Sequence, residues 1–264
     1  MKIGVCEKDL PLNLNENLKW IVENRFDGFQ IWPNKIENSK ELLRFCKDNG
    51  IVISAIGGGP NLVNPEKIKE TIEEFKKRIE FAILLETNII TAETKELPDF
   101  LNEKDGWKWC AEIIGRICEL CEKNNIYLSI EPSESCFIKD YYMWAKLSKF
   151  VNSKSLKVNY DPANILWAGK NPVEGVYFLK DKIVHTHAKN IIRGEDGYKE
   201  GESKISVRDV PADIGEVDYK SYIKALKDIG YKGFLTIEMH SKPNEDRRKD
   251  ILRSKKFIEK LIGR

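Results

Sequence analysis

The sequence lacks the features that mark membrane proteins and polyanion-binding proteins. In its 264 residues no apolar run approaches the ~20 residues that a membrane-spanning helix requires. The amino-terminal stretch MKIGVCEKDLPLN has neither the apolar core nor the small-residue cleavage site of a secretory signal. The 44 basic and 42 acidic residues leave a net charge of +2, too little to gather a polyanion. These absences predict a cytoplasmic protein with neither a membrane nor a nucleic acid as its partner.

The cysteines offer little support for a redox site. There are six, which in a cytoplasmic protein are most simply reduced thiols. Cys118 and Cys121 have the CxxC spacing of a redox motif, but they lie inside the helical pattern WKWCAEIIGRICELCEKNN. Redox pairs usually sit at a helix amino terminus, where the helix dipole lowers the thiol pKa. We therefore interpret this pair as core packing.

Short β-like runs alternate with amphipathic helical patterns along the whole chain. The predicted strands are KIGVC, GFQIW, IVISAI, NIITAE, IYLSIE, LKVNYD, KIVHTH and FLTIEM. Asn49-Gly50 and Ile229-Gly230 are typical helix ends, and Asn64-Pro65 and Asn171-Pro172 are typical helix starts. Eight strands and eight helices in alternation predict one (β/α)8 TIM barrel, α/β in class, as a single domain over 1–264. An open doubly wound sheet is the main alternative, but GGGP at 57–60 lacks the glycine spacing of a dinucleotide site and predicts a turn.

Polar residues share one face at the ends of the last four predicted strands. Because side chains alternate along a strand, Val184 and Thr186 point away from His185 and His187. The same alternation directs Glu131, Asp161 and Glu238 to the barrel axis, at the carboxyl end where barrel active sites lie.

Any one of these residues could be a helix cap or a surface residue. Together, buried carboxylates and imidazoles need a counter-charge, and a divalent cation supplies it. We predict that one divalent metal ion is bound by Glu131, Asp161, His187 and Glu238. Mainly oxygen ligands favour Mn²⁺, Mg²⁺ or Co²⁺ and are compatible with Zn²⁺. His185, one layer deeper, would orient a ligand or a carboxylate.

Two segments of the chain resemble the xylose isomerase-like TIM barrel superfamily, in particular its sugar phosphate isomerase/epimerase branch. They are VNYDPANILWAGKNPVEGVYFLKDKIVHTHAKN and PADIGEVDYKSYIKALKDIGYKGFLTIEMH. The likeness covers nearly the whole chain in architecture and is most specific from 127 to 240. It implies the same four metal ligands, with Glu131 and Glu238 as the catalytic pair that exchanges a proton with the substrate. It also implies that Arg193, six positions after the metal-binding histidine, contacts the substrate.

Two positions depart from the superfamily pattern. Asn164 stands where many relatives carry a histidine, and Gln30 stands where relatives often carry an acidic residue. Trp32, just beyond Gln30, is consistent either with an apolar wall against a sugar ring or with plain packing. The substrate-binding residues that we predict are Arg193, His185, Asn164, Lys189, His240 and Trp32. Lys189 and His240 are equally typical of a solvated rim.

The chemistry that the resemblance implies for these residues is proton transfer next to a carbonyl group. A metal-dependent isomerase or epimerase of a sugar or keto-polyol would pass a proton through an enediolate, using both glutamates. A metal-dependent dehydratase of an inosose-type keto-polyol would use the same site, and a non-catalytic sugar-binding barrel is the alternative from another class. The three-zinc apurinic endonucleases of the superfamily need more histidines than the three present.

The segment from Ala188 to Val217 is longer than an ordinary βα loop of ~2–6 residues. We predict that it covers the substrate, so that trimming Glu195 to Lys204 harms turnover more than folding. Barrels of this group commonly self-associate, and tryptophans that we expect to be exposed could serve a homo-oligomer contact.

Overall fold

The chain, described here by a computed structural model at residues 1–198, 206–240 and 245–264, forms a closed parallel barrel. Its described strands are β1 (Lys2–Cys6), β2 (Gly28–Ile31), β3 (Val52–Ile56), β4 (Ile89–Ala92), β5 (Tyr127–Ile130), β6 (Leu156–Tyr160), β7 (Ile183–Ala188), β8 (Asn190–Tyr198), β9 (Val207–Val210) and β10 (Phe234–Ile237). The barrel follows the order β1-β2-β3-β4-β5-β6-β7-β10 and closes where β10 pairs with β1. β8 and β9 form a separate antiparallel hairpin.

Helices follow the barrel strands and pack around them. The described helices are α1 (Leu14–Glu23), α2 (Ser39–Asp48), α3 (Ile68–Leu84), α4 (Glu103–Lys123), α5 (Tyr141–Val151), α6 (Pro162–Trp167), α7 (Pro172–Leu179), α8 (Tyr219–Asp228) and α9 (Arg248–Ile262). The predicted (β/α)8 TIM barrel is therefore confirmed.

The predicted helix boundaries are confirmed. Gly50 and Gly230 have φ values of +66° and +74°, the left-handed backbone that ends a helix. The side chain of Asn171 accepts hydrogen bonds from the first amides of α7. Asn64 caps a short 3-10 turn over Pro65–Lys67 that leads directly into α3.

Asp140 caps α5 in the same way, by accepting from the amides of Tyr142 and Met143. One part of the chain differs from the prediction. The segment from Ala188 to Val217, expected to be a long loop, contains the β8–β9 hairpin. The lid prediction falls partly on residues 199–205, which lie outside the described residues, and it stays a prediction.

The aromatic surface also differs from the prediction. The expectation that tryptophans would be exposed is wrong, because Trp107, Trp144 and Trp167 are buried and the other three are partly buried. The Trp107 ring, for example, packs edge-on against Phe137, with 5.1 Å between the centroids. Phe150 and Phe178 are instead exposed by 58% and 47%. A homo-oligomer contact therefore has no exposed tryptophan to use, and self-association stays a prediction.

The CELC pair belongs to the core, as predicted. Cys118 and Cys121 are buried on the inner side of α4, and both are free thiols. Among the described residues, no helix combines the length and apolar character needed to cross a bilayer. The cytoplasmic location stays a prediction.

Candidate metal centre

The barrel gathers the four predicted metal ligands at the carboxyl ends of its strands. Glu131, Asp161 and Glu238 come directly after β5, β6 and β10, and His187 lies near the end of β7. Parallel register places His187 beside Thr236, two residues before Glu238. All four side chains are buried, and one ligand atom from each lies within 4.8 Å of the others.

One nitrogen of His187 faces the carboxylates. Its Nδ1 lies 3.1 Å from Oε2 of Glu131 and 3.4 Å from Oε2 of Glu238. The distance from Nδ1 to Oδ2 of Asp161 is 3.9 Å. Three carboxylates therefore converge on one side of a single imidazole ring.

The carboxylate of Asp161 has two different oxygens. Oδ1 caps α6 by accepting hydrogen bonds from the amides of Ala163 and Asn164, at 2.8 and 3.1 Å. Oδ2 is buried and accepts no hydrogen bond from the residues described, although the ammonium group of Lys189 lies 3.3 Å away. Burying a carboxylate oxygen without a hydrogen-bond donor is costly. The three carboxylates and the imidazole of this cluster fit the ligand preferences of a divalent cation.

The two glutamates have different electrostatic surroundings. Glu238 lies between two ammonium groups, with Lys8 Nζ at 3.1 Å from Oε1 and Lys189 Nζ at 3.2 Å from Oε2. Burial alone would raise the pKa of Glu238, but the positive charges of His187 and the two lysines hold it well below its usual range.

Glu131 is held mainly by neutral amides. Asn159 donates to Oε2 at 2.6 Å, and Asn164 donates to Oε1 at 2.7 Å. Burial raises the pKa of Glu131, and the neighbouring His187 opposes that rise only in part. Two carboxyl groups of one cluster therefore favour different protonation states.

His185 lies beneath the cluster and does not line the cavity above it. Its Nδ1 donates to Oδ1 of Asn159 at 2.8 Å, and its Nε2 lies 2.9 Å from Oγ1 of Thr236. Burial and the nearby charge of His187 lower its pKa well below the usual value. His185 is fully buried below the cavity, and the role predicted for it as a support of a ligand stays a prediction. A substrate contact is not supported by this geometry, since His185 instead supports Glu131 through Asn159.

A cavity of about 230 Å³ opens above the cluster. Four predicted substrate-binding residues line it: Trp32, Asn164, Lys189 and His240. Trp32 packs against the turn after β3, where a Cβ at Gly57 or Gly58 would lie 2.7 or 2.6 Å from the indole ring. This close approach is why the GGGP turn carries glycine at these two positions.

Arg193 and Lys189 have surroundings that the sequence did not indicate. Arg193 is absent from the described lining of the cavity, and its guanidinium contacts Oε2 of Glu216 at 2.6 Å, which ties β8 to the segment before α8. Lys189 is only 4% exposed and therefore does not belong to a solvated rim. His240 is partly exposed, and its Nδ1 lies 2.9 Å from Oδ2 of Asp209.

Sequence reasoning missed two charged residues near the cluster. Lys8 comes just after β1, so the strand-end rule that found the other residues could have found it too. Asp209 lies on β9, and no local pattern indicated that the hairpin would bring it to His240.

The family of this chain follows from a comparison of its sequence with models of known protein families. A family model described as the xylose isomerase-like TIM barrel matches residues 18–261. The chain belongs to this family. The resemblance inferred from the sequence is therefore confirmed.

Relatives in the xylose isomerase-like family include both epimerases and dehydratases. A putative L-ribulose-5-phosphate 3-epimerase SgbU from Haemophilus influenzae is 25% identical over 277 residues, covering 97% of this chain and 95% of that protein. A 3-dehydroshikimate dehydratase from Bacillus anthracis is 23% identical over 252 residues, covering 86% and 88%. The crystal structure of the IolI protein with a bound zinc atom superimposes with a TM-score of 0.83 at 17% identity, covering 99% and 98%.

Proposed function

We propose that the protein is a metal-dependent isomerase or epimerase of a small sugar or keto-polyol. One observation carries the proposal: two glutamates that line a small cavity also belong to a buried cluster of metal-ligating atoms. The residues that would hold the cation are Glu131, Asp161, His187 and Glu238. Mn²⁺, Mg²⁺ or Co²⁺ suits this donor set, and Zn²⁺ is compatible with it.

The bound cation would polarise a substrate carbonyl and the hydroxyl beside it, which acidifies the neighbouring C–H bond. Glu238, kept ionised by Lys8 and Lys189, takes the proton from this carbon. Glu131, whose carboxyl holds a proton more readily, delivers one to the substrate. Asn164 positions Glu131 through the hydrogen bond to Oε1.

Other side chains of the cavity would bind the substrate. Lys189 and His240 lie close to Glu238 and would stabilise negative charge that develops on substrate oxygens. The face of Trp32 offers an apolar wall to a sugar ring. The epimerase relative supports a hydroxyketone as substrate.

We propose that the protein carries out this activity in the cytoplasm.

A dehydratase is the second candidate, because one of the similar proteins is a dehydratase. In that reaction Glu238 takes the C–H proton, and Glu131 gives its proton to a departing hydroxyl group on the next carbon. The hydroxyl group leaves as water and a carbon–carbon double bond forms. An inosose-type keto-polyol would undergo this reaction.

The test is proton exchange with the solvent. Cation-loaded protein is incubated in D₂O with ketoses, aldoses and inososes, and the C–H signals are followed by NMR. We expect exchange at a carbon next to a carbonyl group, reduced at least ~100-fold in Glu131→Gln and in Glu238→Gln.

A matched control and the products complete the experiment. Glu93→Gln changes a carboxylate that lines the same cavity outside the metal cluster, and it should keep the exchange. The product separates the isomerase or epimerase from the dehydratase. Binding of a sugar without exchange, unaffected by Glu131→Gln, would favour a non-catalytic barrel and contradict the proposal.

A further inference from the structure

The two nitrogens of the His187 imidazole have different surroundings. Nδ1 faces the carboxylates of the metal centre, whereas Nε2 lies 2.8 Å from Oε1 of Gln30. In a metal-bound histidine the hydrogen bond made by one nitrogen determines which nitrogen is left to bind the metal. The amide nitrogen of Asn159 lies 3.4 Å from Nδ1 and 3.3 Å from Nε2, so it favours neither nitrogen. The shorter contact with Gln30 distinguishes the two nitrogens.

We propose that Gln30 is a positioning residue that keeps the proton of His187 on Nε2, so that Nδ1 binds the divalent cation. The inference rests on the proposed metal-dependent function. An amide oxygen can only accept a hydrogen bond, so a proton on Nε2 is favoured and the lone pair of Nδ1 points to the carboxylates. Gln30 touches the metal cluster only through His187 and would not itself be a ligand.

The orientation of the Gln30 amide is fixed from its other end. Gln30 lies on β2 and is only 1% exposed, and its Nε2 donates to Oγ1 of Thr91 on β4 at 2.8 Å. This bond turns the amide oxygen towards His187. Gly57 provides the space, because a Cβ at that position would lie 2.6 Å from the amide nitrogen.

Cys6 offers a competing arrangement. Its Sγ lies 3.9 Å from Nε2 of His187, and the thiol forms a second group of candidate ligands with His187 and Glu238. A soft cation bound there would need Nε2 without its proton. Because the oxygen of Gln30 is 2.8 Å from Nε2, Gln30 disfavours this sulfur-containing site and leaves the oxygen-rich site on Nδ1.

An acidic residue at position 30 would differ from Gln30 in its charge. A carboxylate would accept the same hydrogen bond but would add a negative charge beside three other carboxylates. Gln30→Glu should therefore keep the tautomer and bind the cation at least as tightly as the wild type. Gln30→Met keeps the approximate length of the side chain and removes the acceptor.

The test measures cation affinity and the protonated nitrogen separately. Mn²⁺ binding to chelator-treated protein is measured by calorimetry, and ¹⁵N-histidine NMR with Mg²⁺ identifies the protonated nitrogen of His187. We expect Gln30→Met to weaken Mn²⁺ binding by ~10–100-fold and to lose the preference for Nε2–H. Gln30→Glu should retain both, and Cys6→Ala should bind Mn²⁺ like the wild type.

Further variants keep the outcomes distinct. Thr91→Val keeps the Gln30 oxygen but removes the hydrogen bond that holds the Gln30 amide, so the amide can rotate. It should weaken Mn²⁺ binding less than Gln30→Met does. This variant replaces Gln30→Met in the test if Gln30→Met does not fold. If Gln30→Met binds Mn²⁺ with wild-type affinity and keeps the proton on Nε2, the inference about Gln30 is wrong, but the proposed function is not affected. A sulfur-to-Co²⁺ charge-transfer band that disappears in Cys6→Ala would overturn it in favour of the thiol site. A wild type that binds no divalent cation would contradict the proposed function itself.

Discussion

The ammonium group of Lys189 lies 3.3 Å from Oδ2 of Asp161, the buried oxygen that accepts no hydrogen bond from the residues described. The same ammonium lies 3.2 Å from Glu238. Lys189 therefore supplies positive charge at the place where a cation would bind. Carboxylates buried this deeply need such a charge whether or not a metal ion is present.

Replacing Lys189 should reveal this role. Lys189→Met removes one partner of a buried ion cluster and should lower the free energy of unfolding of the metal-free protein by about 3 kcal/mol. Added Mn²⁺ should recover much of the loss, because the cation replaces the missing charge. Urea unfolding with and without Mn²⁺ measures both effects. Lys47→Met, which removes an exposed pair with Glu86, is the control and should cost less than ~1 kcal/mol. A loss of that small size in Lys189→Met would contradict the prediction.

Cation binding should stabilise the folded chain through the four buried ligands. At a free cation concentration of ~100 times Kd, the free energy of unfolding should rise by about 2.7 kcal/mol, and a chelator should reverse the gain. Asp161→Asn should lose most of this gain while keeping α6, because the remaining amide oxygen can still cap the helix. Thermal unfolding over a cation titration measures the effect, with Glu93→Gln as control. Equal stabilisation of the wild type and Asp161→Asn would exclude this site.

The ion pair of Asp27 with Arg264 should make stability depend on pH. Burial alone would raise the pKa of Asp27, but hydrogen bonds from Arg264 and from the Ile3 amide lower it overall. The contribution is therefore complete above the unfolded-state pKa and is lost as the pH falls through the lower folded-state pKa. Asp27→Asn should cost about 1 kcal/mol at neutral pH.

Unfolding in urea over the acidic range checks this pH dependence. The stability difference between the wild type and Asp27→Asn should shrink below a pH of about 4. Asp181→Asn changes a carboxylate in an exposed pair with the adjacent Lys182, and it should show no comparable trend. A difference that stays constant down to the lowest pH would show that the charge of Asp27 is not the cause.

The six cysteines should be unreactive in the folded protein. All of them are buried, and burial raises the pKa of Cys46 to about 11 and that of Cys118 to about 12. A thiol-specific disulfide reagent at neutral pH should label none of them quickly, and should label all six after unfolding in guanidinium. Rapid labelling of Cys118 and Cys121 in the native state would restore the redox interpretation of CELC.

The hairpin segment should matter more for turnover than for folding. Replacing Glu195 to Lys204 with a short turn shortens this segment and leaves the two residues of the Arg193–Glu216 contact in the chain. We expect a similar free energy of unfolding and a clear loss of kcat/KM once a substrate is known. The matched control is Glu216→Ala, which removes the contact with Arg193 and keeps residues 195–204. Unchanged kinetics after trimming would remove the lid hypothesis.

The barrel and the members of the candidate metal cluster could be predicted from the sequence alone. Strand and helix periodicities are local, and alternation along four strands was enough to place Glu131, Asp161, His187 and Glu238 on one face. In a closed parallel barrel the strand ends all meet at the same rim, so residues at equivalent positions in successive strands must come together. The helix boundaries could be predicted because they too are local, since capping depends on neighbours within one turn.

The side chains that surround this cluster could not be predicted without the three-dimensional structure. The contact of Gln30 with His187 joins β2 to β7, which are not neighbours in the barrel, and it depends on barrel register and on the space left at Gly57. The β8–β9 hairpin directs Arg193 to Glu216 instead of to the cavity. Such contacts join residues distant in the chain, and no local periodicity encodes them. They set the charge and the hydrogen bonds on which the reactivity of the predicted residues depends.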